Sequence, residues 1–316
     1  MRPALFALVC AGLLPSGAQA QPARCDALPA NAAGLAWDLT FVADPGVRIE
    51  GAALPKPLVD DAGRVHLFYE TAPGPPTRQM YTVSADGLTF DAGRAEQPGD
   101  LRYHPYRVRM ANGVWRRFQW DPQALEMRTD SSGDGVTFSR DPGVRYTLQA
   151  DDRGWMGIHD EFVDGLGRVV MIYLADRDGL NNARRAVSAD HGWTFTFDRG
   201  NVFGDAADIA RAGGSSAYVD QKSTHLDGAA RRMFAMKQGC AIYSFLTTDG
   251  DGFVLEPGWR VSVKSWTDVV VRSLHDPVVV RLADGRFRMY VAAALTVPPG
   301  SPGRFVILTA TTPSAR

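Results

Sequence analysis

The sequence predicts an all-β fold, a five-bladed β-propeller. One hairpin signal recurs five times along the chain, and a second signal recurs four times. Long stretches with the 3.6-residue period of an amphipathic helix are absent, while 32 glycines and 20 prolines are spread through the 316 residues. This combination is typical of short strands connected by tight turns.

The first repeated signal is a glycine turn followed by an alternating or apolar β-type run. Examples are "DDAGRVHLFYE" and "LADGRFRMYVAA". The copies lie 50 to 61 residues apart, a period typical of propeller blades, in which each four-stranded sheet packs on its neighbours. The five turn glycines are Gly63, Gly113, Gly167, Gly228 and Gly285.

The second signal is a short hairpin rich in Ser, Asp, Gly and Thr. Residues 188–195, "SADHGWTF", match the pattern S-x-D-x-G-x-T-[FW] in full, and residues 84–90, 131–138 and 247–254 match it imperfectly. By its spacing the first of these copies is one residue short, the second carries its Asp one place late, and the last lacks Thr and Gly at the expected places. We expect the Asp to accept turn N–H groups, between the third and fourth strands of a blade. His191 is then a solvent-facing position without a chemical role.

The chain is predicted to close its own ring. Residues 38–49, "DLTFVADPGVRI", resemble residues 135–146, "GVTFSRDPGVRY", which form a fourth strand. The N-terminal part of the mature chain therefore supplies the outer strand of the last blade, whose C-terminal run "RFVILTATT" gives only the third strand. This arrangement also hides a sheet edge.

The N-terminus indicates export. Residues 1–20 combine one Arg, an apolar run and an A-x-A cleavage signature, which is typical of a signal peptide cleaved after Ala20. Residues 21–316 are then one propeller domain, secreted or periplasmic. No later apolar run approaches the roughly 20 residues that a membrane span needs. Cys25 and Cys240 remain after cleavage and predict one disulfide, with two buried thiols as the alternative.

The charge pattern excludes a nucleic-acid-binding surface. The formal net charge is −1, and the basic residues are scattered rather than massed. We expect a monomer that does not bind nucleic acid.

Antiparallel alternation places the start of each blade's first strand near the central axis on one face. Polar side chains collect there, and three of the six histidines are among them. The axial candidates are Lys56, His104, His159, Asp160, Glu161, Asp220, Lys222, His275 and Asp276, with Trp155 as a pocket wall and Arg272 close in sequence.

Each candidate also has a structural interpretation. His104 and His275 equally fit hydrogen bonds between blades, and Asp220 with Lys222 equally fits a salt bridge. Asp160 and Glu161 are neighbours in one strand and point to opposite sides, so at most one faces the pocket.

Five blades, a carboxylate-rich axis and an Asp276-Pro277 pair followed by "DGRFRMYVA" resemble the five-bladed glycoside hydrolases of the arabinanase/xylosidase and levanase types. The hairpins resemble those of sialidase-like propellers. The resemblance implies a carbohydrate substrate, with Glu161 as acid, Asp160 as its rival and Asp276 as base or nucleophile. The remaining axial residues would bind substrate. Where that family places an Asp in the first blade, this chain has Lys56-Pro57.

Three functions follow from these observations. The first is an exported glycosidase with acid and base carboxylates and no required cofactor. The second is a lectin-like propeller that binds glycans without chemistry, favoured by the first-blade departure. The third is a hydrolase with a divalent cation held at the axis by His104, His159 and His275.

Overall fold

A computed structural model describes residues 25–72, 78–96, 103–154, 156–175, 182–200, 202, 218–298 and 303–315. They form five antiparallel sheets, whose first strands contact one another in the order of blades one, five, four, three and two. Arg107 of blade two lies 3.5 Å from the ring centroid of Phe68 in blade one, which brings the two ends of this series together. The predicted five-bladed propeller is therefore confirmed. The predicted signal peptide lies outside the described residues. Within the described ranges, no helix has the length and apolar character needed to cross a bilayer.

The strands follow the order of the blades. Two short strands come first, β1 (Val42–Ala43) and β2 (Ile49–Glu50). Blade one contains β3 (Ala52–Val59), β4 (Val65–Thr71), β5 (Gln79–Ser84) and β6 (Arg94–Ala95). Blade two contains β7 (Tyr103–Arg109), β8 (Trp115–Asp121), β9 (Glu126–Ser132), β10 (Ser139–Arg140) and β11 (Tyr146–Thr147). Blade three contains β12 (Met156–Val163), β13 (Val169–Ala175), β14 (Asn182–Ser188) and β15 (Thr196–Gly200).

Blade four contains β16 (Tyr218–His225), β17 (Arg231–Lys237), β18 (Ala241–Thr247), β19 (Val254–Leu255) and β20 (Val261–Ser262). Blade five contains β21 (Val271–Arg281), β22 (Phe287–Leu295) and β23 (Arg304–Thr311). Two 3-10 helices, Trp37–Leu39 and Ala150–Asp152, lie outside the sheets. The five glycines of the first repeated signal fall in the turns between first and second strands, all with φ between 64° and 84°.

The ring closes as predicted. β1 and β2 pair antiparallel with β23, with Val42 opposite Thr311 and Ile49 opposite Ile307. The predicted disulfide is also formed: Cys25 and Cys240 have Cα atoms 5.1 Å apart and join residues separated by 215 positions. It ties the N-terminal segment to the turn between β17 and β18.

The Asp-containing hairpins form, but their spacing differs from the sequence-based interpretation. Asp190 accepts N–H groups of Trp193 and Thr194 at 3.0 and 2.9 Å. The second copy begins at Ser132, so Asp134 is not displaced and accepts its turn N–H groups like the others. The third copy instead carries an additional residue, His191, which is exposed with φ 58°. It adopts the left-handed conformation that fits an inserted turn residue.

A D/E-P-G-x-R turn connects blades at three places. Asp141 accepts a hydrogen bond from Arg116 at 3.0 Å within blade two. Arg145, four residues later, donates to the carbonyl of Trp193 in blade three at 3.1 Å. The two further turns lie at residues 44–48 and 256–260. Their arginines, Arg48 and Arg260, donate to the carbonyls of Leu88 and Leu39. The similarity of residues 38–49 to residues 135–146 includes two of these turns. It does not reveal the turn at 256–260, in which Glu256 replaces Asp.

The apolar core lies between blades. Phe118 of blade two and Met171 of blade three belong to one buried cluster, and Phe234 of blade four and Met289 of blade five belong to another. The interface of blades one and two is charged instead. There the buried guanidinium of Arg117 contacts Glu96 and Asp130, each at 2.6 Å.

We predict that the disulfide stabilises the closed ring, because a cross-link over a long loop restricts the unfolded chain. Reductant should lower the free energy of unfolding of the native protein by about 2–5 kcal/mol, measured by urea denaturation. The double variant Cys25→Ser/Cys240→Ser should start at the lower value and show no response to reductant. A native protein indifferent to reductant would contradict the prediction.

Candidate active site at the propeller axis

The innermost strand of every blade is interrupted by a bulge at the same place. In each strand two residues lie opposite one residue of the second strand, so the pairing shifts by one residue. Leu54, Asp220 and Asp276 begin the bulges of blades one, four and five, with φ of 51°, 57° and 50°. Non-glycine residues adopt this conformation rarely and at an energetic cost. Bulges re-aim side chains, and here they recur at the axis.

Asp220 and Asp276 meet where blades four and five adjoin. The backbone N–H of Asp276 donates to the Asp220 carboxylate, and Nδ1 of His275 lies 3.9 Å from Asp220 Oδ2. Nε2 of His275 lies 2.8 Å from the Ser273 hydroxyl. All three titratable side chains are half-buried, so they keep some access to solvent.

This setting shifts the acidity of all three groups. Burial raises the pKa of Asp276 well above its usual range, and the carboxylates of Asp220 and Glu70 raise it further. Burial also raises the pKa of Asp220, opposed by His275 and by the N–H of Asp276. The pKa of His275 is lowered by burial and partly restored by Asp220. Asp276 therefore keeps its proton to a higher pH than an ordinary aspartate does.

Blade one adds a buried ion pair to the same end of the axis. Nζ of Lys56 lies 3.2 Å from Oε1 of Glu70, and both side chains are buried. Burial lowers the pKa of Lys56, while the negative charge of Glu70 opposes that shift. Asp276 also acts electrostatically on Lys56, which shows that blades one, four and five share one charged cluster.

Blade three contributes three buried titratable residues to the axis. Nδ1 of His159 lies 2.8 Å from Oε1 of Glu161, and both side chains are buried. Asp160 accepts the backbone N–H of Ser223 in blade four at 3.0 Å. Burial raises the pKa of Asp160 to about 6, although Lys222 opposes this shift. His159 and Glu161 thus pair with each other, while Asp160 reaches the next blade.

Lys222 and Tyr106 occupy equivalent positions after the bulges of blades four and two. Nζ of Lys222 lies 3.8 Å from the ring centroid of Tyr106 and donates to the carbonyl of His159. The Tyr106 hydroxyl interacts with Asp160. Burial lowers the pKa of Lys222, against the charges of Asp160 and Glu161. Lys222 therefore links the blade-three residues electrostatically to Asp276, which also acts on it.

The axial residues expected from sequence fall into two groups. Lys56, Asp220, His275 and Asp276 form one with Glu70, and Arg272 is half-buried close enough to act on His275. His159, Asp160, Glu161 and Lys222 form the other. The side chain of His104 and the whole of Trp155 lie outside the described residues.

Sequence reasoning missed Tyr106, although its position two residues after His104 in the first strand of blade two was a usable signal. Among the described residues, no three His, Cys, Asp or Glu side chains group as metal ligands. The axial cation stays a prediction, because it also involves His104.

We predict that Asp160 makes stability depend on pH between about 4 and 6. Its folded-state pKa of about 6 exceeds the ordinary value of 3.8, so the folded state binds the proton more tightly. Its contribution is therefore largest at low pH and is lost as the pH rises through this window. Asp160→Asn, whose amide oxygen can still accept the Ser223 N–H, should flatten the unfolding free energy measured by urea titration.

Asp134→Asn is the matched control, because hydrogen bonds from Thr137 and Val136 hold the pKa of Asp134 at about 2. Asp134→Asn should lower the free energy of unfolding by a similar amount at the acidic and at the neutral end of this pH window. A slope in Asp160→Asn equal to that of the native protein would contradict the assignment.

Comparison with known proteins finds similar folds among solved structures. No family model and no curated protein sequence matches the chain. Among solved structures, an α-L-arabinofuranosidase from Podospora anserina is 12% identical with TM-score 0.59, covering 88% of this chain and 96% of that one. An N-acetylgalactosamine deacetylase from F. plautii is 15% identical with TM-score 0.61, covering 86% and 95%. An endo-arabinase from Bacteroides thetaiotaomicron is 13% identical with TM-score 0.54, covering 85% and 96%. At these identities the likeness shows a shared propeller fold.

Proposed function

We propose that the protein is an exported glycoside hydrolase whose reaction takes place at Asp220 and Asp276. One observation carries this proposal: two half-buried carboxylates lie together at the axis, and one has a strongly raised pKa. Glycoside hydrolysis needs such a pair, one protonated and one ionised. Two structural neighbours are named as glycosidases, which supports the choice, and the disulfide supports export.

In this proposal Asp276 donates the proton to the glycosidic oxygen. Asp220 is the member of the pair that ionises first, because His275 and the N–H of Asp276 oppose the rise of its pKa, whereas the pKa of Asp276 is raised well above its usual range. Asp220 then attacks the anomeric carbon or activates the water that does so. Lys56 and Arg272, at the same end of the axis, would bind sugar hydroxyls.

In this proposal the general acid is Asp276 rather than Glu161 or Asp160 of blade three. Asp160 is 0% exposed and accepts the backbone N–H of Ser223. Glu161 has Oε1 paired with His159 and lies farther along its strand, away from the Asp220–Asp276 cluster. A proton donor must reach the leaving oxygen directly or through one water. Asp276 meets that requirement better, because it is half-buried and belongs to the open cluster.

A lectin-like propeller is the second candidate, and one residue favours it. Leu54 begins the bulge of blade one, at the position equivalent to Asp220 and Asp276. A third carboxylate there would have completed the pattern of the five-bladed hydrolases. Without it, the two aspartates would bind glycan hydroxyls without cleaving a bond.

We predict that Asp276→Asn and Asp220→Asn each lower kcat by about 10²-fold or more, the range typical of positioned acid–base groups. The measurement is reducing-sugar release from arabinan, xylan and levan, with binding to the same polysaccharides followed in parallel. Asp276→Asn should also remove the alkaline limb of the pH–rate profile. His191→Ala, in an exposed hairpin, should retain native activity.

Full activity in both Asn variants would refute the assigned roles. Polysaccharide binding without any release by the native protein would favour the lectin-like alternative instead.

A further inference from the structure

A cavity of about 510 Å³ opens at the opposite end of the axis from Asp276. It is lined by residues near the ends of the innermost strands, among them Leu58 in blade one and Val163 in blade three. Its rim also includes Gly165 of blade three and Ala229 of blade four, each in the turn that follows the innermost strand. A second cavity of about 520 Å³ adjoins it and shares Leu58 and Trp115. Volumes of this size accommodate small organic ligands.

One carboxylate oxygen in the cavity wall is left without a hydrogen-bond partner among the described residues. Glu161 lines the cavity and is 2% exposed. Its Oε1 pairs with His159, but its Oε2 has no hydrogen-bond partner among the described residues. A buried carboxylate oxygen without a donor is costly. A ligand that donates a hydrogen bond would satisfy it.

Cationic and aromatic groups surround that acceptor. Arg231 lines the cavity, with its guanidinium 4.5 Å from the ring centroid of Phe162 and its Nε donating to Ser223 Oγ at 3.2 Å. The exposed Arg109 and the ring of Trp115 form another part of the wall. The cavity therefore combines carboxylate acceptors, of which Glu161 Oε2 is unpartnered, with several donors and flat apolar surfaces.

This combination selects a neutral polyhydroxylated ligand. An anionic ligand would meet the carboxylates of Glu161 and Asp164, and a cationic ligand would meet three guanidinium groups, those of Arg107, Arg109 and Arg231. Sugar hydroxyls can donate to Glu161 and accept from arginine, while a sugar face stacks on an aromatic ring. We infer that this cavity is a second saccharide-binding site, separate from the Asp220–Asp276 cluster and sized for a neutral mono- or disaccharide.

The test is an NMR titration with cellobiose. The reporter is the indole N–H resonance of Trp115, assigned by its disappearance in Trp115→Phe. Cellobiose should shift this resonance to saturation in the native protein and equally in Asp220→Asn/Asp276→Asn. Binding at this site is therefore measured even if the proposed hydrolase activity proves wrong.

Two variants should impair the site by different means. Glu161→Gln should weaken cellobiose binding about tenfold or more, because a charged acceptor is lost. Ala229→Trp should abolish binding by filling the rim, which keeps the test decisive if Glu161→Gln folds poorly. Glu50→Gln, far out on blade five, is the matched control and should bind like the native protein.

Several results would overturn the inference. One is a native protein in which cellobiose leaves the Trp115 resonance unmoved, and another is unchanged affinity in Ala229→Trp. Loss of the shift in Asp220→Asn/Asp276→Asn would show that only the first cluster binds. A response to glucuronic acid or glucosamine without one to cellobiose would show that the ligand is charged.

Discussion

Antiparallel pairing of β1 and β2 with β23 closes the ring, and the position of every axial side chain depends on that pairing. Without it, blade five would end in an exposed edge, and β21 would not be held against β3. The junction of these two strands is where Asp276 meets the Lys56–Glu70 pair. The disulfide and the arginine turns add further links between segments far apart in sequence. Fold closure and the assembly of the charged cluster are therefore one event.

Charge balance explains the acidity of the axis. Carboxylates outnumber lysines there, and burial penalises each charge that is not fully compensated. Proton uptake by the carboxylates is the lowest-energy response, so the pKa values of Asp160, Asp220 and Asp276 all rise. Burial lowers the pKa values of the two lysines despite their anionic neighbours. The proposed proton donor is thus a consequence of bringing several blades to one axis.

The sequence predicted features whose signal is local or repeated. Turn glycines recur once per blade, so the blade count follows directly. The similarity of residues 38–49 to 135–146 predicted the closing strand, and two remaining cysteines predicted the disulfide. Asp220 and Asp276 were also expected at the axis, since each lies at the start of a first strand.

The partners of the axial residues could not be predicted, because they come from other blades. Asp160 is bound by an N–H of blade four, which periodicity within blade three does not reveal. Each bulge also shifts the strand register by one residue, so simple alternation no longer applies after it. The position of Tyr106 in a first strand indicates that it lies near the axis, but only the assembled ring places it beside Lys222.

The most direct test is a ¹³C NMR titration of the Asp276 carboxyl group in the native protein and in Asp220→Asn. If the assembled axis holds a proton on Asp276, its pKa lies well above the usual aspartate range and falls when the Asp220 charge is removed. A carboxyl that titrates in the ordinary range in both proteins would contradict the account.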